Sequence, residues 1–170
     1  MTTVQTYKSL VDERVNEIIA KAKLLDEDTI RWKPSENAWS IMEVMCHVEE
    51  FINFWFGEIG NVLQNSSVHF GRKLNEQERS ATVAKADNRT VDEILKGLED
   101  ANLNALKLLS KYNTAALQVE SQHVNPKFGM KPMTFVLDKF VLEHLSIHLS
   151  QMERNLRTKK NNEPTMESTK

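Results

Sequence analysis

The sequence predicts an all-α protein built as a four-helix bundle. Apolar residues recur every three or four positions in four long segments, as they do along the buried face of a helix. Only five glycines and four prolines interrupt the 170 residues, and leucine, glutamate, lysine and alanine are plentiful. Two Ser/Thr-x-x-Glu capping boxes mark helix starts within the pattern. These features together favour long helices packed around one core.

The first two helices are predicted from their apolar spacing and from one capping box. The first runs from about Val4 to Leu25, and residues 26–37 form a short connection. The second begins at the capping box of Ser40 and Glu43 and continues to about Val62. The seven-residue repeat of the first helix comprises Val4, Val11, Ile18 and Leu25.

The second half of the chain contains two more helices, separated from the first pair by a polar stretch. Residues 64–89 are weakly periodic and are predicted to carry the chain from one end of the bundle to the other. The third helix opens at the capping box of Thr90 and Glu93, and the fourth runs from Met133 to about Leu156. The polar composition after that point predicts a disordered tail. We therefore expect one domain over 1–156 and a tail over 157–170.

Charge and cysteine content exclude several classes of protein. The formal net charge of −2 gives no bulk electrostatic basis for binding nucleic acid or an anionic membrane. Cys46 is the only cysteine, which excludes an intramolecular disulfide and fits a reducing cytosol. The N-terminal segment is amphipathic and carries charges, unlike a signal peptide or a membrane span. We expect a soluble cytoplasmic protein without a nucleic-acid or membrane partner.

Three histidines in the apolar stripes indicate a metal site. His144 and His148 are one turn apart on the fourth helix, so their imidazoles share a face. Neutral imidazoles bind transition metals, and a third from a neighbouring helix would complete a set of three. His47 lies on the inward stripe of the second helix and can supply it. Three ligands with open positions are typical of a catalytic metal site.

A different interpretation is that these histidines are core residues that hydrogen-bond to each other or to carboxylates. His-x-x-x-His arises by chance in many sequences, and a single inward histidine is more often a hydrogen-bonded core residue than a ligand. Against this, two unpaired imidazoles buried in an apolar stripe are costly. The residues alone leave both interpretations open.

The other candidate side chains are predicted to have supporting roles. His69 and His123 fall in loop segments and are expected to be solvated. Gln151 is positioned either to orient His148 or to face solvent, and Cys46 is expected to be a small core residue. Three acids adjoin the histidines in sequence, where helical geometry turns them away from the ligand direction, and are expected to be solvated or to support the ligands. They are Glu49, Glu50 and Glu143.

Several sequence blocks together resemble the DinB/YfiT-like family. They are WKP at 32–34, WSIMEVMCH at 39–47, NPKFG at 125–129 and HLSIHLSQ at 144–151, in the family's order and at suitable spacing. The resemblance covers most of the chain. It implies an up-down-down-up four-helix bundle with a long crossover between the second and third helices.

The resemblance also implies a divalent metal cation bound by three histidines, which fall on His47, His144 and His148. Nickel or zinc is the expected metal, with iron or manganese as alternatives. Family members include thiol-S-transferases that use low-molecular-weight thiols, a thiol-dependent isomerase and hydrolases, and many form dimers. We therefore expect a homodimeric, metal-dependent transferase or hydrolase that acts on a small molecule, with Glu50 or Glu143 available as a base. The alternatives are a stress-response protein that binds a metal or small molecule without catalysis, and a purely structural helical dimer.

Overall fold

A computed structural model describes residues 1–73 and 83–163 of the chain. In chain order its helices are α1 (Val4–Lys23), α2 (Glu27–Arg31), α3 (Ile41–Gln64), α4 (Val91–Leu109), α5 (Met133–Phe135) and α6 (Glu143–Asn162). A π-helical segment (Val136–Leu142) joins α5 to α6, and 3₁₀ turns lie at Lys85–Asn88 and Ala116–Gln118. The strands β1 (Glu120–Gln122) and β2 (Met130–Pro132) precede α5. The long helices α1, α3, α4 and α6 form a four-helix bundle, as predicted.

The two capping boxes start α3 and α4 at the predicted positions. The Ser40 hydroxyl accepts a hydrogen bond from the backbone N–H of Glu43, and the Glu43 carboxylate accepts one from the backbone N–H of Ser40. Thr90 and Glu93 make the same reciprocal pair at the start of α4. Each box satisfies backbone N–H groups that have no partner inside the helix.

The order of contacts along α3 and α4 shows that these two helices run in the same direction. Glu49 lies beside Gly97, and eleven residues further along each helix Gly60 lies beside Leu108. Parallel neighbours need a long connection, which the chain supplies between Gln64 and Val91. The predicted crossover is therefore confirmed, although residues 74–82 within it lie outside the described residues.

The α1 and α6 helices also run parallel, which completes the up-down-down-up topology. Near the start of α1, the Tyr7 hydroxyl donates to Asp138 of the π-helical segment at 2.9 Å. Near its end, Lys21 pairs with Glu153 of α6 at 3.2 Å. Both helices therefore advance together along the bundle.

The core fills the space between the four long helices. Every one of them contributes side chains that are almost fully buried, and these form one continuous cluster. They include Val11, Val15 and Ile18 of α1, Ile52 and Ile59 of α3, Leu98 and Ala105 of α4, and Leu145 and Met152 of α6.

No helix within 1–73 and 83–163 has both the length and the apolar character needed to cross a lipid bilayer.

The segment before the last helix contains a small hairpin that the sequence does not predict. Strands β1 and β2 pair antiparallel, and the backbone of Phe70 bonds to the same segment through Gln122 and Val124. Three-residue strands are too short to show the alternation by which strands are recognised. The hairpin buries His123, which is 2% exposed, so the prediction that His123 is solvated is wrong.

The last helix extends beyond its predicted end. It continues to Asn162, whereas the apolar pattern ends at Leu156. Its final turns are polar and carry Lys159 and Lys160, which favour a helix C-terminus without contributing to the core. Residues 164–170 lie outside the described residues, and the division into a domain and a tail stays a prediction.

Candidate metal centre

His47, His144 and His148 converge between α3 and α6. Each offers one ring nitrogen to a group in which all three nitrogens lie within 4.8 Å of one another. The Nε2 atoms of His47 and His144 are 3.4 Å apart. His47 is 3% exposed and His148 is 4% exposed, while His144 is partly exposed. The predicted convergence is observed, and metal binding by these side chains is a proposal.

Antiparallel packing of α3 against α6 brings the histidines together. Asn155 near the end of α6 bonds to Trp39 just before α3, and Phe140 just before α6 stacks on Trp55. Between these two contacts, His47 meets the helical face that carries both other histidines. Residues four apart on a helix share a face, so two of the three imidazoles come from α6 and one from α3.

The distances suit a small divalent cation. Two nitrogens that are each 2.0–2.1 Å from a tetrahedral zinc ion lie about 3.4 Å apart. The pair formed by His47 and His144 already has this separation. An inward movement on the order of 1 Å would bring the whole group to the same spacing. Three imidazoles are also a donor set that nickel, iron and copper accept.

Gln151 fixes the tautomer of His148. Its amide oxygen, Oε1, lies 2.9 Å from Nδ1 of His148. An amide oxygen accepts hydrogen bonds, so Nδ1 carries the proton and Nε2 keeps its lone pair. Hydrogen bonds of this kind fix the orientation and tautomer of metal-binding histidines. Of the two roles considered for Gln151, the structure shows the orienting one.

Aromatic rings hold the imidazoles in place. Phe51 stacks on His144 with ring centroids 4.5 Å apart and planes 8° apart. Trp39 stacks on His148 at 6.2 Å and 15°. The side-chain amide of Asn155, itself buried, donates to the backbone carbonyl of Trp39 at 2.8 Å. The rings therefore have little freedom to turn away from one another.

A cavity of about 240 Å³ opens from the histidines, and His47 and His144 form part of its wall. Pockets for drug-sized ligands measure roughly 300–1,000 Å³, so this cavity suits a smaller molecule. Its lining is mainly aromatic, with a few polar groups. Among the described residues, the lining comprises His47, Phe51, Trp55, Arg72, His123, Asn125, Phe128, Phe140 and His144.

Arg72 is held at the cavity by two neighbouring side chains. Its guanidinium donates to both carboxylate oxygens of Glu50, one of them at 2.8 Å. The same guanidinium lies 4.1 Å from the centre of the Phe54 ring, which is a cation–π contact. The charge beside the cavity is therefore largely balanced by Glu50.

The acids next to the histidines have ion-pair partners outside the trio. Glu49 pairs with Arg89, and Glu143 pairs with Lys139 at 2.6 Å on an exposed face. Glu50 is nearer the cavity, because its partner Arg72 lines it. These positions agree with the expected supporting or solvated roles and favour Glu50 over Glu143 as a group near a substrate.

Cys46 and His69 occupy the environments predicted for them. Cys46 is a buried free thiol, and burial raises its pKa, so the thiolate is disfavoured at neutral pH. His69 is exposed. Neither side chain lines the cavity.

His123 is a cavity residue that the sequence reasoning missed. Its ring lies 4.8 Å from that of Phe128 and 5.8 Å from that of Phe140. Its Nδ1 accepts a hydrogen bond from the backbone N–H of Asn125 at 2.8 Å. Burial lowers the pKa of His123, which favours the neutral ring. The available signal was its place two residues before an Asn-Pro turn.

Sequence comparison assigns the chain to a family. The profile of the DinB superfamily matches residues 11–152, which is most of the chain. The chain belongs to the DinB superfamily. The predicted membership is therefore confirmed. No curated protein sequence matches the chain.

Solved structures of two other proteins are similar in fold to this DinB superfamily member. One is YfiT from Bacillus subtilis, described as a probable metal-dependent hydrolase with an unusual four-helix bundle topology; the TM-score is 0.78 at 11% identity, over 92% of this chain and 87% of that one. The other is the mycothiol-dependent maleylpyruvate isomerase, with a TM-score of 0.65 at 14% identity, over 91% of this chain and 67% of that one. A histidine-to-alanine mutant of the isomerase gives 0.66 at 13% identity over the same shares. At these identities the likeness establishes the fold.

Proposed function

We propose that this protein is a divalent-metal-dependent enzyme that acts on a small molecule. In the proposal His47, His144 and His148 bind the metal, and the adjoining cavity receives the substrate. One observation carries the proposal: two of the three clustered histidines also form part of the wall of an aromatic-lined cavity. A structural histidine cluster would not need a cavity beside it.

The residues fit the metal in chemistry as well as in distance. Nδ1 of His148 bonds to Gln151, which leaves its buried Nε2 as the donor. A divalent metal held by three imidazoles supplies Lewis-acid chemistry, lowering the pKa of a water or thiol that completes its coordination. Around it, Phe51 and Trp39 fix the ligand rings, and the aromatic walls of the cavity give the substrate a largely apolar surface.

Two reaction classes follow from this chemistry. Activation of water gives hydrolysis, and activation of a low-molecular-weight thiol gives thiol transfer. The description of YfiT as a probable metal-dependent hydrolase agrees with the first class. The description of the isomerase as mycothiol-dependent agrees with the use of a thiol in the second. We propose a thiol-S-transferase or hydrolase, with nickel or zinc as the metal and iron or manganese as alternatives.

Metal content tests the ligand assignment. The purified full chain, loaded with zinc or nickel and desalted, is expected to retain one ion per chain by elemental analysis. His144→Ala and His148→Ala should each lose most of the ion, while His69→Ala, which changes an exposed histidine outside the cavity, should keep it. Undiminished metal in a chain that carries both His144→Ala and His148→Ala would refute the assignment.

Turnover separates the enzyme from a binding protein on the same bundle. The metal-loaded chain is screened for hydrolysis of small esters and amides, and for conjugation of small electrophiles with cysteine and glutathione. Activity that is lost in His144→Ala and kept in His69→Ala supports the proposal. Full metal occupancy with no turnover in either screen favours the non-catalytic alternative.

Three expectations about the whole molecule complete the proposal. We propose a single domain over 1–156, a homodimer and a cytoplasmic location. Light scattering on a size-exclusion column tests the dimer, which predicts a mass of twice 19.6 kDa. A mass equal to one chain at micromolar concentration would contradict it.

A further inference from the structure

A further histidine, His123, lies in the wall of the cavity, away from the proposed metal ligands. His123 comes from the hairpin segment and is 2% exposed. Its ring is surrounded by other rings: it meets the Phe70 ring edge-on at 5.0 Å and lies 6.4 Å from the Trp55 ring. Burying a polar imidazole among aromatic rings is costly unless its nitrogens are used.

The hydrogen bond to Nδ1 fixes the tautomer of His123. The backbone N–H of Asn125 donates to Nδ1, which therefore has no proton of its own in this bond. The neutral ring must then carry its proton on Nε2. Asn125 is itself held in a turn, since its side-chain oxygen accepts from the backbone N–H of Lys127 at 3.1 Å. His123 is thus a fixed Nε2–H donor.

Gly71 leaves room for the His123 ring at Nε2. A Cβ at residue 71 would lie 2.4 Å from Nε2 of His123 and 2.8 Å from each adjacent ring carbon. The backbone there has φ +89°, a conformation suited to glycine, and the Gly71 N–H donates to Glu58 at 2.5 Å. Both features hold a residue without a side chain against the face of the ring at Nε2.

We propose that His123 is the substrate-binding hydrogen-bond donor of the cavity, and that the substrate is a small, largely apolar or aromatic molecule carrying a carbonyl or carboxylate oxygen. The apolar part would lie among Phe51, Trp55 and Phe128, and the oxygen would accept from Nε2–H of His123. A hydrogen bond from a neutral donor discriminates for an acceptor oxygen without requiring a charged ligand. The inference rests on the proposed function only in assuming that the cavity receives the substrate.

A matched pair of probes tests the preference for an oxygen acceptor. Acetophenone and ethylbenzene share one skeleton and differ in a carbonyl against a methylene group. Binding to the zinc-loaded full chain is followed by NMR titration. One net hydrogen bond predicts a preference for acetophenone of about 2- to 10-fold. In the same titration the Nε2 resonance of His123 should report a protonated Nε2 and should move with acetophenone.

Variants of His123 test whether its imidazole ring causes the preference for acetophenone. His123→Phe is expected to abolish the preference, and His123→Gln, which keeps a side-chain N–H, should retain part of it. His69→Gln, an exposed-histidine control, should leave it unchanged. Equal binding of the two probes by the unaltered chain, no binding of either, or an Nε2 resonance that does not respond to acetophenone would overturn the inference.

The two proposals can fail separately in this design. Metal content is measured on the same samples. A chain that binds one zinc ion but shows no preference between the probes overturns the role of His123 alone. A chain that prefers acetophenone but retains no metal supports the role of His123 and overturns the ligand assignment.

Discussion

Alanine substitutions at three glycines distinguish the free-energy cost of a left-handed backbone conformation from the cost of a steric clash. Gly129 has φ +66° with nothing within 4 Å of an added Cβ, whereas Gly71 has φ +89° and the His123 ring directly in the way. Gly57 lies inside α3, with open space around an added Cβ. Replacing each by alanine adds the same single methyl group in three different environments.

The expected effects follow from these environments. Gly129→Ala should lower the free energy of unfolding by about 1–2 kcal/mol, the cost of a left-handed conformation for an L-residue. Gly71→Ala carries the same cost plus about 1–3 kcal/mol for displacing a packed ring, roughly 2–5 kcal/mol in total. Gly57→Ala should raise stability by about 1 kcal/mol, because alanine is the better helix former.

Urea unfolding followed by circular dichroism at 222 nm measures all three variants. The predicted order of stability is Gly57→Ala, then the unaltered chain, then Gly129→Ala, then Gly71→Ala. If Gly71→Ala and Gly129→Ala were equally stable, the close approach of Gly71 to His123 would be refuted. In that case the fixed position of the His123 ring would also lose its support.

Further predictions concern a helix cap, a ligand-orienting side chain and a buried histidine. Ser40→Ala removes one half of a capping box and should cost about 0.5–2 kcal/mol of unfolding free energy in urea; no loss would contradict the role of the box. Gln151→Leu should weaken zinc binding about 10- to 100-fold in competition with a chelator, because His148 loses the bond that sets its tautomer; unchanged affinity would argue against that role. Burial lowers the pKa of His123, so the unfolded chain takes up its proton at a higher pH than the folded chain. Stability should therefore fall as the pH drops below about 6.5, and His123→Gln should show a smaller fall while His69→Gln shows the full one.

The bundle could be predicted because its signals are local. Ser40 and Thr90 start their helices through side chains three residues away, and the apolar stripes decide which face is buried. The convergence of His47 with His144 and His148 followed from two inward stripes and the family resemblance. Each of these inferences needed only the spacing of residues within one helix, or the fold of the family.

The cavity wall that carries His123 could not be predicted because it depends on contacts between distant segments. His123 is buried where the hairpin segment bonds to the backbone of Phe70, more than fifty residues earlier in the chain. The pairing of Arg72 with Glu50 likewise joins the crossover to α3. No periodicity within either segment indicates its partner, so the sequence alone predicts a solvated His123.

Counting the histidine ligands on the bound metal tests the central claim most directly. X-ray absorption at the zinc or nickel edge of the loaded chain is expected to show three imidazole nitrogens at about 2.0–2.1 Å. In His47→Ala, loaded with less than one equivalent of metal and not desalted so that weakly held metal stays bound, the count should fall to two, because the one ligand from α3 is lost while His144 and His148 remain. An unaltered chain whose metal shows no histidine ligands, or a His47→Ala spectrum identical to it, would contradict the three-histidine site.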